Sequence, residues 1–223
     1  MSNKLLQSAL KRLFDILLSA MLLSAGLPIM ICVALLVRWR MGKPVIFRQV
    51  RPGLHKRLFV LYKFRTMKEL RRPDGTLRPS SERITPLGRF LRRASLDELP
   101  QLWNVLRGDM SLVGPRPLLM EYLSLYNAEQ ARRFDVKPGI TGLAQINGRN
   151  SISWEKKFAY DVWYVDHWNL TMDIRIMIAT ALQVIRSENI DAGDGVGMAA
   201  FTGTKSTDNA CDDIDILQEY KAA

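Results

Sequence analysis

The stretch Ser95–Leu106, which reads SLDELPQLWNVL, places two adjacent carboxylates in front of an apolar helical pattern. Ser95 followed by Glu98 has the form of a capping box, and leucine and tryptophan side chains then recur at helical spacing. The pattern predicts that Asp97 and Glu98 lie at or just before the first turn of a helix. Unpaired amide groups and the helix dipole favour negative charge at that place.

Asp97 and Glu98 are not expected to face each other like the two acids of a protease dyad, since neighbouring helical positions point about 100° apart. Two separate roles suit them better: one carboxylate attacks a phosphorus atom and the other holds a divalent cation. The alternative is that Ser95 and Glu98 only cap a helix and that Asp97 is an ordinary acid of its first turn.

Four motifs follow one another along the chain, and the second of them contains this pair. They are Arg92, Ser95–Gln101, Gly108–Ser111 and Gly114–Pro117. Together they resemble the signature of the bacterial monotopic phosphoglycosyl transferases, the sugar transferases that begin lipid-linked glycan assembly, and most closely the small single-domain type found in Campylobacter. The resemblance extends from about Phe14 to about Gly203. It implies that Asp97 is the nucleophile and that Glu98 helps bind Mg²⁺.

The charge of the chain points to anionic partners. The 223 residues include 32 Lys and Arg against 22 Asp and Glu, a formal net charge of +10. Acidic lipid headgroups, phosphorylated substrates and nucleic acid all fit that charge, but no nucleic-acid recognition motif is evident, so we expect no nucleic-acid partner. With two cysteines and two histidines, the sequence favours neither a disulfide framework nor a zinc site, and a hard cation on oxygen ligands is expected.

An apolar run without charged residues extends over Ile16–Val37. Pro28 divides it into halves of about a dozen residues, each about 18 Å long against a hydrocarbon core of about 30 Å. Positive charges flank the run on both sides, which keeps both ends on the cytoplasmic face. We therefore predict a re-entrant membrane helix over residues 1–40, broken at Pro28, with the Ser24 hydroxyl satisfying a carbonyl freed by the break. The family resemblance implies the same path, and the alternative is a kinked helix that spans the bilayer.

Two basic strands are predicted next, at Pro44–Val50 and Leu58–Met67, joined by a turn at Arg51–Gly53. Lys63 lies in the second strand. It is either a charge on a solvated strand edge or, as the resemblance implies, a phosphate contact. Arg92 matches the arginine that precedes the acidic pair in the family, and a guanidinium can hold two phosphate oxygens at once.

Two further arginines follow the acidic pair. Arg116 lies between two prolines in a stiff loop, and the resemblance places it near a diphosphate. Leu118–Phe134 is predicted to be helical, with several charges on its outer side. Asn147-Gly148 predicts a tight turn, after which Arg149 is either part of a hairpin tip or, by resemblance, a contact to the donor nucleotide.

The fold class predicted from these segments is α/β (α+β), a small membrane-associated domain with interfacial amphipathic helices and a short β-hairpin. Residues 41–190 are expected to form the catalytic domain, and residues 191–223 a Gly-rich and then acidic flexible tail. Met172–Ile185 is strongly apolar, which fits an interfacial helix or a buried core helix. Asp15 is expected to be an interfacial or partner-bonded acid rather than a catalytic one.

The function implied by the resemblance is transfer of a sugar 1-phosphate from a UDP-sugar to undecaprenyl phosphate at the cytoplasmic face of the bacterial inner membrane. An N-acetylated amino sugar is the expected donor sugar, and membrane lipids are expected partners. The alternative is a non-catalytic membrane scaffold of a glycan pathway. The sequence does not indicate an oligomeric state.

Overall fold

The computed structural model describes residues 2–148, 151–186 and 199–203, in which helices and short strands alternate. Within these residues the α-helices are α1 (Ser2–Met41), α2 (Ser80–Arg83), α3 (Pro86–Arg93), α4 (Gln101–Arg107), α5 (Ala128–Ala131), α6 (Leu143–Ile146), α7 (Trp154–His167) and α8 (Leu170–Arg186). The strands are β1 (Ile46–Pro52), β2 (Leu58–Phe64), β3 (Ser111–Val113) and β4 (Gly139–Thr141). The predicted α+β class is confirmed.

The described strands form two small sheets of two strands each. β1 and β2 form an antiparallel hairpin in which Ile46 pairs with Phe64 and Pro52 with Leu58. The hairpin turn begins after Pro52, two residues later than predicted, because β1 extends to Pro52 and pairs there with Leu58, the first residue of β2. β3 and β4 pair in parallel, which ties the chain after α4 to the segment before α6.

Helix α1 packs on the rest of the domain through one face. Its buried residues are spaced by four positions or, once, by fourteen, which is about four turns, so they lie on one helical face. They are Asp15, Ser19, Val33, Val37 and Met41. The other faces expose leucine and isoleucine along most of the helix, and α1 is long and apolar enough to cross a membrane by length and composition.

The helix continues through Pro28, so the predicted break is not present as a gap between two helices. A proline removes one amide donor, and the neighbouring turns can maintain the helix across it. Ser24 is exposed, and its proposed bond to a freed carbonyl stays a prediction, as does the re-entrant path.

Two apolar clusters attach α1 to the domain. The larger one surrounds the fully buried Val105, Met110 and Tyr164 and includes Phe14 and Leu18 of α1 at its margin. The smaller one joins the C-terminal half of α1 to Phe64 of β2 and Leu91 of α3. Asp15 accepts hydrogen bonds from the Ser111 hydroxyl (3.1 Å) and the Leu112 amide (3.0 Å), which confirms the prediction that it is bonded to a partner.

The region Leu118–Phe134 is less helical than predicted. It contains the four-residue helix α5 and two short 3-10 turns, at Met120–Tyr122 and Arg132–Phe134. Several of its charges are exposed, as predicted, among them Glu121 and Glu129, whereas Arg133 is buried. The tight turn expected at Asn147-Gly148 follows helix α6 rather than a strand, so it is not a hairpin tip.

Candidate active site

Asp97 and Glu98 lie in a 3-10 turn, Leu96–Glu98, between α3 and α4. Ser95 enters this turn with a left-handed backbone (φ 54°), a conformation that costs a non-glycine residue about 1–2 kcal/mol. The predicted capping box is wrong, because Ser95 makes no capping hydrogen bond and α4 begins only at Gln101. The turn directs the two acids into the protein instead of leaving them on an exposed helix end.

Glu98 is held by two cations from distant parts of the chain. Lys63 Nζ lies 2.5 Å from Glu98 Oε1, while Arg116 Nη2 lies 2.6 Å from Oε1 and Nη1 lies 3.4 Å from Oε2. Burial by itself would raise the pKa of Glu98, but Arg116 and Lys63 outweigh it and keep that pKa well below its usual range. Glu98 is therefore ionised at neutral pH.

Lys63 reaches Glu98 because of its position in β2. Leu61, two residues earlier and thus on the same face of the strand, is buried in the larger cluster, so this face points into the domain. Burial lowers the pKa of Lys63, whereas the neighbouring Glu98 raises it. The hydrogen bond from Lys63 to the ionised Glu98 carboxylate is charge-assisted and favours the ammonium form of Lys63.

Asp97 is buried, with 6% of its surface exposed. Burial, and secondly the charge of Glu98, raise its pKa from the ordinary value of 3.8 to about 6, against the pull of Lys63, Arg92 and Arg116. A carboxylate of raised pKa in a cationic surrounding is typical of functional sites. It is ionised at neutral pH and more basic, hence more nucleophilic, than an exposed aspartate.

Arg116 is positioned by its backbone. The preceding Gly114 packs so closely on the chain before β4 that a Cβ there would lie 2.4 Å from the Lys137 carbonyl oxygen. The buried Arg133 donates from Nη2 to the Arg116 carbonyl (2.8 Å) and to Asp161 (2.6 Å). The stiff loop predicted from the two prolines is thus fixed by an ion pair from elsewhere in the domain.

Arg92 lies at the end of α3, where its Nε donates to the Thr66 hydroxyl (3.1 Å). Its charge acts on Asp97, so the structure brings Lys63, Arg92 and Arg116 together around the acidic pair. Arg149 lies outside the described residues, and its predicted role stays a prediction.

Sequence reasoning missed two buried polar groups that support the site. Asn104, fully buried in α4, accepts from the Tyr62 amide and donates to the Val60 carbonyl, which fixes β2 against α4. The Arg133–Asp161 pair is 3% and 2% exposed. Asn104 interrupts the apolar face of the predicted helix and could have been found from that pattern. Arg133 and Asp161 carry no such signal.

The donor chemistry of Glu98 fits Mg²⁺. This cation is bound in proteins through one or two carboxylates together with substrate phosphates, and Glu98 supplies one such carboxylate. Glu98 accepts three described hydrogen bonds, while a carboxylate has about four lone-pair positions. In the part of the chain that the structure describes, no group of three or more His, Cys, Asp or Glu side chains could hold a metal alone.

Comparison with known proteins decides the family. The model of the family described as bacterial sugar transferase matches residues 6–187. The chain belongs to the bacterial sugar transferase family. The predicted family is thereby confirmed, and with it the prediction of a sugar transferase enzyme.

Similar bacterial sugar transferases differ in length and in what their names state. An uncharacterised sugar transferase, EpsL, of Bacillus subtilis is 55% identical over 87% of this chain and 96% of its own length. The undecaprenyl-phosphate galactose phosphotransferase of Salmonella typhimurium is 44% identical over 80% of this chain, which spans only 41% of that protein. A UDP-glucose:undecaprenyl-phosphate glucose-1-phosphate transferase of Caulobacter vibrioides is 38% identical over 80% of this chain and 71% of its own length.

Proposed function

We propose that this protein transfers a sugar 1-phosphate from a UDP-sugar to undecaprenyl phosphate, yielding UMP and undecaprenyl-diphosphate sugar. The observation that carries the proposal is the buried, basic Asp97 beside an ionised Glu98 and three cations. Relatives named for transfer to undecaprenyl phosphate support the same reaction class. Among the residues that the structure describes, no feature favours a scaffold over this enzyme.

The reaction proceeds in two displacements at one phosphorus atom. A carboxylate oxygen of Asp97 attacks the β-phosphorus of the donor, the bond to the bridging oxygen breaks, and UMP leaves with the bonding electrons. A phosphate oxygen of undecaprenyl phosphate then attacks the same phosphorus, and the bond to Asp97 breaks to restore the carboxylate. Each displacement keeps negative charge on the phosphoryl oxygens, which Lys63, Arg92 and Arg116 stabilise.

Glu98 is the residue that would hold Mg²⁺ beside the phosphate oxygens. When bound, the ion would supply further positive charge to those oxygens. Glu98 also keeps Lys63 and Arg116 beside Asp97, since both cations bond to its carboxylate. We expect transfer to stop when a chelator removes divalent cations and to return when Mg²⁺ is added in excess.

The contacts of α1 support a helix that enters the membrane and returns. Near its start, Arg12 donates to the carbonyls of Val105 (2.6 Å) and Leu106 (2.8 Å). Near its end, Val37 and Met41 pack in the smaller apolar cluster of the same domain. A spanning helix would separate these contacts by the hydrocarbon core of about 30 Å, whereas a domain on one face reaches both when the two ends stay on that face.

Labelling of single cysteines tests this path. In a protein whose Cys32 and Cys211 are replaced by serine, Lys4→Cys and Lys43→Cys should both react with a bulky maleimide from the cytoplasmic side only. Reaction of one of them from the opposite side would establish a spanning helix and overturn the re-entrant proposal.

The reaction is tested with purified protein, Mg²⁺, undecaprenyl phosphate and a panel of UDP-sugars. UDP-galactose and UDP-glucose belong in the panel because relatives carry these sugars in their names, and UDP-N-acetylated amino sugars because the family resemblance suggests them. UMP release with one donor supports the enzyme, whereas release with none favours the scaffold. A donor labelled with ³²P in the β position should label the protein before acceptor is added, and turnover without any trapped adduct would refute the covalent intermediate.

A further inference from the structure

A cavity of about 40 Å³ lies next to the acidic pair, and the reaction described above assigns it no ligand. It is lined by Arg51, Leu61, Lys63, Gln101, Arg116 and Pro117. Half of this lining is cationic, and the lining includes no acidic residue. A water molecule needs about 10–15 Å³ of such volume, so the cavity has room for about three waters, which suits a tetrahedral oxyanion better than a base or a sugar ring.

Arg51 reaches the cavity from β1. Arg51 pairs with Phe59, and every second residue of a strand points to the same face, so Phe59, Leu61 and Lys63 share one face of β2. Arg51 therefore lies on the same face of the hairpin as Lys63. Its Nη2 donates to Gln49 (2.6 Å), but its buried Nε has no hydrogen-bond acceptor among the described residues. Burial, and next the positive charge of Arg116, lower the pKa of Arg51 to about 10. The two guanidinium groups thus repel each other, and an anion between them would remove that repulsion.

Gln101 supplies a neutral donor to the same cavity. Its residue surface is 1% exposed, and its buried Nε2 donates to no acceptor among the described residues. A buried donor without an acceptor destabilises a fold, and most buried polar groups in proteins have a partner. Two unsatisfied donors, from Arg51 and Gln101, at the edge of one cationic cavity are therefore best explained by a ligand that accepts hydrogen bonds.

We propose that Arg51 and Gln101 form a second phosphate subsite beside Asp97, which binds a substrate phosphate other than the one that is attacked. The proposal rests on the function proposed above. In that reaction two such phosphates exist: the α-phosphate of the donor, which leaves in UMP, and the phosphate of the lipid acceptor. Both phosphates present the same oxyanion to Arg51 and Gln101. They can be distinguished because the donor reacts in the first displacement and the lipid acceptor in the second.

The test compares Arg51→Gln and Gln101→Met with a matched control, Arg48→Gln. Arg48 is an exposed arginine on the opposite face of β1, over the ring of Tyr62, so its removal changes the net charge equally without touching the cavity. Donor KM and acceptor KM are each measured from UMP release during complete turnover, with the other substrate in excess. Dissociation constants for UDP are measured by calorimetry without turnover.

We expect Arg51→Gln and Gln101→Met to raise one of the two KM values about 10- to 100-fold, the range of a lost hydrogen bond to a charged group, while Arg48→Gln stays within about twofold of the wild type. A rise in donor KM together with weaker UDP binding assigns the subsite to the α-phosphate, and a rise in acceptor KM alone assigns it to the lipid phosphate. Gln101→Met should melt at a temperature no lower than the wild type, because it removes a donor that has no protein acceptor. A raised KM without a lower melting temperature would show that Gln101 acts in binding and not in folding.

Unchanged KM values and unchanged UDP affinity in both variants would overturn the subsite. A wild-type protein that releases no UMP would instead overturn the proposed reaction. Calorimetry with UDP and with undecaprenyl phosphate would still decide the subsite in that case, since an equal affinity of wild type and variants for both ligands would reject it.

Discussion

Replacement of Asp97 by asparagine is expected to abolish transfer and at the same time to stabilise the protein. Asparagine keeps the shape of the side chain but cannot form the acyl phosphate with the donor. It also removes a charge from a site that is 6% exposed. Loss of activity by unfolding would have the opposite effect on stability, so the two results together isolate the chemical role of Asp97.

The magnitude follows from the pKa of Asp97. A shift of that pKa from 3.8 to about 6 means that holding the ionised form in the fold costs roughly 3 kcal/mol, an amount that already includes the attraction of the nearby cations. Since the folded pKa is raised, this cost is fully present above pH 6 and disappears as the pH falls towards 4. Asp97→Asn should therefore unfold roughly 5–10 °C above the wild type at pH 8, with a smaller difference at pH 5.

The assay is thermal unfolding of the detergent-solubilised protein at both pH values, with UMP release measured on the same samples. Asp135→Asn is the matched control, because Asp135 is exposed and its replacement should leave the melting temperature almost unchanged. Full activity of Asp97→Asn would refute the nucleophile. An unchanged or lower melting temperature at pH 8 would refute the argument that the buried, ionised Asp97 destabilises the fold.

Two further predictions concern the ionisation and the support of the site. The value of kcat/KM for the donor should fall about tenfold between pH 7 and pH 5, as expected for an essential carboxylate whose pKa is about 6, and a flat profile in that range would contradict this assignment. Asp161→Asn should lower the free energy of unfolding by about 3–5 kcal/mol, since it leaves the buried Arg133 guanidinium without its counterion. Chemical unfolding measures this loss against Asp166→Asn, which breaks an exposed pair with Arg132 and should have little effect.

The order of motifs along the chain was enough to predict the family, and local patterns were enough to predict the long apolar helix and the β-hairpin. These features depend on residues close together in sequence, where periodicity and turn chemistry act directly. The prediction of a capping box was wrong although the spacing of Ser95 and Glu98 fits one, because spacing alone does not show where the Glu98 side chain bonds. Glu98 is instead bonded to Lys63, 35 positions earlier, and to Arg116, 18 positions later.

What the sequence alone determined is therefore the identity of the acids and cations, the apolar face of α1 and the family to which the chain belongs. Only the tertiary structure decided that Glu98 bonds to two cations, that Asp97 is buried enough for its pKa to rise, and that Arg133 fixes the loop of Arg116. Burial and long-range ion pairs arise when separate segments pack together, and they depend on distances that no local pattern contains.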